Sequence, residues 1–286
     1  MPQICHFSKI YVLESLPQNE RHTGKLLWED IDNVICYHNR PVKTELMQAM
    51  SRSDFLGCLA RIQMAAEGGE YPILHIECHG ADDQSGLILA DGLSLTWAEL
   101  KSFLTRINVA TRCNLLVVMA ACYGGNLGHL IVPTEKAPFW GFIGPTGEIY
   151  PNELLSTFNA FYGELLASLD GDISLEALSA KPLSSGGYYF ASALHFFTVA
   201  YAGYLKEFCS ELALDQRAGR ISRELRKTGS QNRPGKGALR RWLKQTEAQS
   251  FYTYHREFFM LDLFPENASR FALSLHDINE LKKTLK

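Results

Sequence analysis

The sequence predicts an α/β fold: a mostly parallel sheet flanked by helices, followed by a mainly helical C-terminal region. Three observations point to it. First, Leu115 to Cys122 (Leu-Leu-Val-Val-Met-Ala-Ala-Cys) is an apolar run that stops at a Cys shortly before two glycines, and Tyr71 to Gly80 (Tyr-Pro-Ile-Leu-His-Ile-Glu-Cys-His-Gly) is a second apolar strand that ends in His-Gly, the pattern of buried strands. Second, an amphipathic helix between them completes a strand–helix–strand unit. Third, from Ser184 onwards the strand signals fade and helical spacing takes over.

The elements follow in order. Ser8 to Leu16 reads as a first strand, rich in β-branched and aromatic residues, and Asn33 to Tyr37 as a second. Thr44 to Glu67 places Leu46, Met50, Phe55, Leu59, Ile62 and Ala66 at helical spacing, with a break near Ser51 to Asp54 and a stop at Gly68 and Gly69. Ile73 to Cys78 is the next strand. Asp91-Gly92 between two short apolar runs signals a hairpin. Thr96 followed by Glu99 fits a capping box, opening a helix that carries Leu100, Phe103, Leu104 and Ile107. Beyond Cys122, Phe139 to Ile143 is a short strand, Asn152 to Leu169 an amphipathic helix, and Ser174 to Ala180 a shorter helix. Tyr188 to Leu212 reads as helix, Phe251 to Phe264 as a strand or a packed helix, and Asp277 to Lys286 as a solvated terminal helix. The organisation is a core over 1–183 and a helical extension over 184–286, with a basic mobile segment at 215–244.

Composition excludes several classes. A net charge of −3 does not suit a general polyanion binder. The first ten residues lack the basic start and apolar run of a signal peptide. Seven cysteines, odd in number and irregular in spacing, suit reduced thiols in the cytoplasm better than a disulfide framework. The most apolar long segment, Tyr188 to Leu205, holds Ser192, His195 and Thr198 and falls short of the roughly 20 apolar residues a membrane span needs. It reads as a core helix, and no membrane association is expected. Within 215–244, Arg217, Arg220, Arg223, Arg226, Lys227, Arg233, Lys236, Arg240, Arg241 and Lys244 face only Asp215 and Glu224. A solvated helix pair around a mobile loop at 228–237 is the default reading. A nucleic acid or acidic partner held through 217–244 is the lesser one.

The chemistry lies at two strand ends. Open α/β sheets keep their active sites at the carboxyl ends of their strands, and there the chain places His79-Gly80 and, about forty residues on, Cys122-Tyr123-Gly124-Gly125. A thiol beside an imidazole can pass its proton to it and become a nucleophilic thiolate. The N–H groups of Gly80 and Cys122 are the candidates for an oxyanion hole. Glu77 and Glu148 are candidates for a cationic substrate pocket. Asp82 could contact substrate or hold the imidazole, or simply form the turn. His75 reads as a packed core residue and Cys78 as core. A zinc site from His75, Cys78, His79 and Cys122 is disfavoured: alternate strand residues diverge, and His75 and His79 lie about 13 Å apart along the strand. No metal or cofactor is expected.

These residues carry a resemblance. His-Gly closing one apolar strand and Ala-Cys-Tyr-Gly-Gly closing another resemble the caspase-like cysteine peptidases of clan CD, above all the bacterial CHAT branch related to caspases and separase. The run from Phe139 to Ile149, the Phe161-Tyr162 pair and Leu175 to Leu178 extend the likeness over about Tyr71 to Ala180. The resemblance implies a caspase-like sheet, with His79 as general base and acid and Cys122 as the nucleophile of peptide-bond cleavage. It also implies a protein substrate, a regulatory protein partner and an antiviral defence setting. Many such enzymes cut a linker of their own, which would make 215–244 a cleavage site. The caspase pentapeptide Gln-Ala-Cys-x-Gly is not matched, since Ala120 stands for Gln and Gly125 comes one place late, so caspase-like preference for Asp does not carry over. Two other readings of the residues stay open: a caspase-fold interaction module with an unused Cys and His, and a Cys–His amidase or acyltransferase acting on a small substrate.

Overall fold

The computed structural model describes residues 6–284 apart from 182 and 229–233. Strands and helices alternate through the first two-thirds of the chain: β1 (Lys9–Ser15), α1 (Thr23–His38), β2 (Lys43–Gln48), α2 (Arg52–Glu67), β3 (Pro72–Gly80), β4 (Gly86–Ile88), β5 (Ser94–Thr96), α3 (Trp97–Ala110), β6 (Leu116–Ala120), β7 (Gly141–Pro145), α4 (Pro151–Ser168), α5 (Gly171–Ser179) and β8 (Tyr188–Ser192). Helices α6 (Ala193–Phe208), α7 (Glu211–Lys227), α8 (Lys236–Phe258), α9 (Asn267–Arg270) and α10 (Leu275–Thr284) follow. The fold is α/β with a mostly parallel sheet and a helical C-terminal region. None of the described helices is long and apolar enough to cross a membrane.

The main sheet runs β2-β1-β3-β6-β7-β8, with β8 alone antiparallel to its neighbour. Hairpin β4–β5 hangs from the end of β3. Helices α1, α4 and α5 pack together, and α2 packs with α3. From β1 the chain moves outward to β2, whereas from β3 it moves the other way to β6. The carboxyl ends of β1 and β3 therefore flank a topological switch point, where such sheets open a crevice.

Local sequence explains most elements. β3 is buried from Pro72 to Cys78, His75 and Glu77 included. Gly92, at φ +78°, makes the turn between β4 and β5. Thr96 and Glu99 form the expected capping box. Ser51 caps α2 by accepting the Asp54 N–H at 3.1 Å.

Four expectations are corrected. Asn33 to Tyr37 is not a strand but the last turns of α1. Leu27, Ile31 and Ile35 are buried at helical spacing while Tyr37 is 84% exposed, so the β-branched run is one face of a helix. Thr44 to Gln48 is not helical. It is edge strand β2, whose polar alternation (Lys-Thr-Glu-Leu-Met-Gln) buries only Met47 and gives no apolar run to read. Tyr188 to Ser192 is strand β8, fixed by pairing with β7 rather than by any alternation of its own. Lys236 and Gly237, assigned by sequence to the mobile loop, begin α8; residues 229–233 of that loop lie outside the described residues. Phe251 to Phe258 is helical.

The chain divides into two compact units, Met1–Ile131 with Ala137–Ala193, and Val132–Lys136 with Leu194–Lys286. The first holds the whole sheet. In the second, Phe197, Tyr201, Phe251, His255, Phe258, Phe259 and Phe271 form an aromatic core. Helices α7 and α8 pack through Leu214, Ala218, Leu239 and Leu243. The cations of the basic segment are partly paired: Lys236 with Asp215 at 2.6 Å, Lys227 with Glu224 at 2.9 Å, and Arg240 and Lys244 with Glu211.

Candidate active site at the carboxyl ends of β1, β3 and β6

The parallel register of β3 and β6 matches Glu77 with Ala120. β6 ends there, and Cys122 lies two residues beyond it, in the turn that follows. Paired residues of parallel neighbours point to one face, and side chains repeat every second residue. His79 therefore shares the face of His75 and Glu77, which is the face that carries α1 and α4. Tyr162 and Phe158 of α4 meet His75 there, and Thr23 of α1 meets Glu77.

Gly80 brings the two strand ends together. A Cβ at that position would stand 2.1 Å from the Cys122 carbonyl oxygen and 3.2 Å from the Cys122 Cβ. No L side chain fits so close to a backbone carbonyl, so glycine is what lets the Cys turn lie against β3. The Ala81 N–H donates to Gly86 O at 3.0 Å. Antiparallel pairs alternate between bonded and non-bonded, so the Gly80–Leu87 pair is a non-bonded one and the Gly80 N–H turns away from β4.

Cys122 is half-buried, and its Sγ lies 3.9 Å from the Ile149 carbonyl oxygen. Tyr123 takes the left-handed conformation (φ 55°) that makes the sharp turn after the strand. Its N–H donates to Gly147 O at 3.0 Å, and the Gly124 N–H donates to Ala121 O at 3.0 Å. Both of those amides are committed to the turn, which leaves Gly80 and Cys122 as the amides to consider for an oxyanion.

The structure places the other candidates as follows. Glu148 is exposed in the loop after β7, where its carboxylate lies 3.5 Å from the Tyr123 hydroxyl, one residue from the thiol. Asp82 sits in the exposed turn two residues beyond Gly80 and is not drawn against Cys122 by any contact. Cys78 is a core residue, 5% exposed, and burial pushes its thiol up. His75 is fully buried, packed edge-on to Phe158 with ring centroids 5.0 Å apart, and burial pushes it down to about 3.

Glu77 does not line a substrate pocket. It is 2% exposed beneath the start of α1, beside Glu14 of β1 in the strand register. Thr23 Oγ1 donates to Glu77 Oε1, and Lys25 N–H donates to Glu14 Oε1 at 3.1 Å. His22 Nδ1 and Gln48 Nε2 reach Glu14 Oε2 at 2.7 and 2.8 Å. A Cβ on Gly24 would touch both carboxylates, at 3.0 and 3.2 Å. Burial first, and the Glu14 charge second, push the Glu77 carboxyl well up. The first turn of α1 holds the two carboxylates with one donor each, the Thr23 hydroxyl on Glu77 and the Lys25 N–H on Glu14. A sequence signal for this cluster existed: each of the two central strands carries one Glu near the end of an apolar run.

Glu20 is the residue sequence reasoning missed. Its carboxylate lies 2.7 Å from His79 Nε2, across the switch point from the β1–α1 loop. Nothing in the polar loop Pro-Gln-Asn-Glu-Arg-His marks Glu20 above its neighbours, because the contact depends on β1 and β3 being adjacent. No family model matches the chain, and no curated protein sequence matches it.

Proposed function

We propose that this chain is a cysteine endopeptidase acting on a protein substrate through Cys122 and His79, in the manner of the caspase-like and CHAT peptidases it resembles. The observation that carries the reading is the approach of Gly80 to Cys122: it needs glycine after the histidine, and it sets an imidazole-bearing strand end against a thiol-bearing one.

The reaction is acyl transfer. The Cys122 thiol gives its proton to His79, and the thiolate attacks the scissile carbonyl carbon. The negative charge that forms on the carbonyl oxygen is held by the N–H groups of Gly80 and Cys122. His79 returns the proton to the leaving amine as the C–N bond breaks, leaving a thioester. Water, giving a proton to His79, then releases the acid and restores the thiol. Glu148, beside the Cys122 turn, and Asp82 would favour cationic side chains in the substrate. No cofactor enters any step. The resemblance places such an enzyme in a reducing cytoplasm, with a regulatory protein partner and a defence role.

The test compares wild type with Cys122→Ala against a diverse peptide library and the products of neighbouring genes, mapping new termini by mass spectrometry. Cuts made only by wild type establish the activity. An uncut library, together with a Cys122 no more reactive than exposed Cys36, would overturn it in favour of a non-enzymatic module.

A further inference from the structure

We propose that Glu20 is the positioning residue of His79: it grips the imidazole by Nε2 and leaves Nδ1 to exchange the proton with Cys122. The inference rests on the Cys–His reading above and extends it to a residue outside the two strand ends.

The geometry is specific. Glu20 Oε2 is 2.7 Å from His79 Nε2, a charge-assisted distance. The loop that carries Glu20 is held at both ends. On one side the Glu20 N–H donates to Pro17 O at 3.0 Å, closing a turn after β1. On the other, His22 is tied to buried Glu14 at 2.7 Å, and Thr23 to buried Glu77. Glu14 and Glu77 are 1% and 2% exposed, so the anchors sit in the core although the His79–Glu20 pair itself is half-exposed. A flexible surface carboxylate would gain little from such a pair. One carried on a pinned loop holds the ring at a fixed angle.

A histidine ring presents two nitrogens, and the partner of one decides what the other does. With Nε2–H donating to Glu20, Nδ1 carries the lone pair. The proton leaving Cys122 Sγ goes to Nδ1, giving thiolate and imidazolium with no other bond changed. The Glu20 carboxylate then faces the imidazolium and lowers the cost of separating the charges. The titratable group that meets His79 is Glu20 from the β1–α1 loop, while Cys122 lies in the turn beyond β6, against the neighbouring Gly80. From β4 His79 faces apolar Ile88.

The experiment measures iodoacetamide alkylation of Cys122 in the full chain, by mass spectrometry, at about pH 7 and about pH 10, with Cys36 as internal reference. At the lower pH the rate reads the thiolate held by imidazolium; at the higher pH any thiol is ionised. The variants are Glu20→Gln, Glu20→Asp and His79→Ala. Expected are a fall of about five-fold for Glu20→Gln at the lower pH, partial recovery for Glu20→Asp, and convergence with wild type at the higher pH. A purely structural role for Glu20 would slow Cys122 equally at both values. If His79→Ala slows Cys122 at the lower pH while Glu20→Gln matches wild type, the positioning role is overturned and the dyad stands. If His79→Ala also matches wild type, the dyad itself fails and the role of Glu20 falls with it.

Discussion

Replacing Gly80 with alanine tests how tightly the two strand ends must meet. The new Cβ would stand 2.1 Å from Cys122 O and 2.9 Å from Cys122 C, whereas carbon and oxygen rest at about 3.3 Å. The turn must therefore retreat by roughly 1.2 Å, and it cannot do so by turning a flexible side chain, because the obstacle is backbone. A displacement of about 1 Å at a catalytic pair costs on the order of 10²-fold in rate. Overpacking of this kind costs about 1–3 kcal/mol of stability. The assay is substrate cleavage and Cys122 alkylation for Gly80→Ala, alongside thermal unfolding. The expected result is cleavage down about 10²-fold with a folded protein melting a few degrees lower. Cleavage within two-fold of wild type, in a variant that folds, would refute the view that Gly80 sets the approach of the thiol.

Other predictions concern the buried polar cluster and the helices. The Glu77 carboxyl is pushed up from about 4.5, so its contribution favours the folded state below that value and is lost as pH rises through the folded value. Glu77→Gln should therefore gain stability over wild type as pH rises from about 4.5 to about 8, in urea titrations; a difference that stays flat would contradict the assignment. His75 is pushed down to about 3 from 6.5, so its contribution is present above 6.5 and lost as pH falls. His75→Phe should flatten the acid side of the stability curve by up to about 1.4 kcal/mol per pH unit, and an unchanged slope would count against it. Thr96→Ala removes the cap on the Glu99 N–H and should cost about 1 kcal/mol. Gly57, within α2, faces open space, so Gly57→Ala should stabilise by about 0.5–1 kcal/mol; a loss there would mean α2 packs differently.

The local elements of the site were legible because their signals are local. A largely apolar run ending in His-Gly reads as a buried strand with its last histidine at the rim, and β3 is that strand. Asp91-Gly92 and the Thr96–Glu99 box specify a turn and a helix start through contacts within four residues. Amphipathic α4 declares its buried face through Leu154, Phe158, Phe161, Tyr162, Leu165 and Leu166. The amino-acid order by itself thus determined the fold class and the two buried strands that lead to His79-Gly80 and to Cys122. Tertiary pairing decided the rest. β2 and β8 are strands because β1 and β7 offer them free edges, and their own residues carry no such message. Glu77 reads as a pocket carboxylate until α1 folds over it and removes it from water. Glu20 meets His79, 59 residues away in the chain, only because β1 and β3 lie side by side. Backbone hydrogen bonding and short-range periodicity are written along the chain, whereas charge pairing across a switch point exists only once the strand order has been chosen.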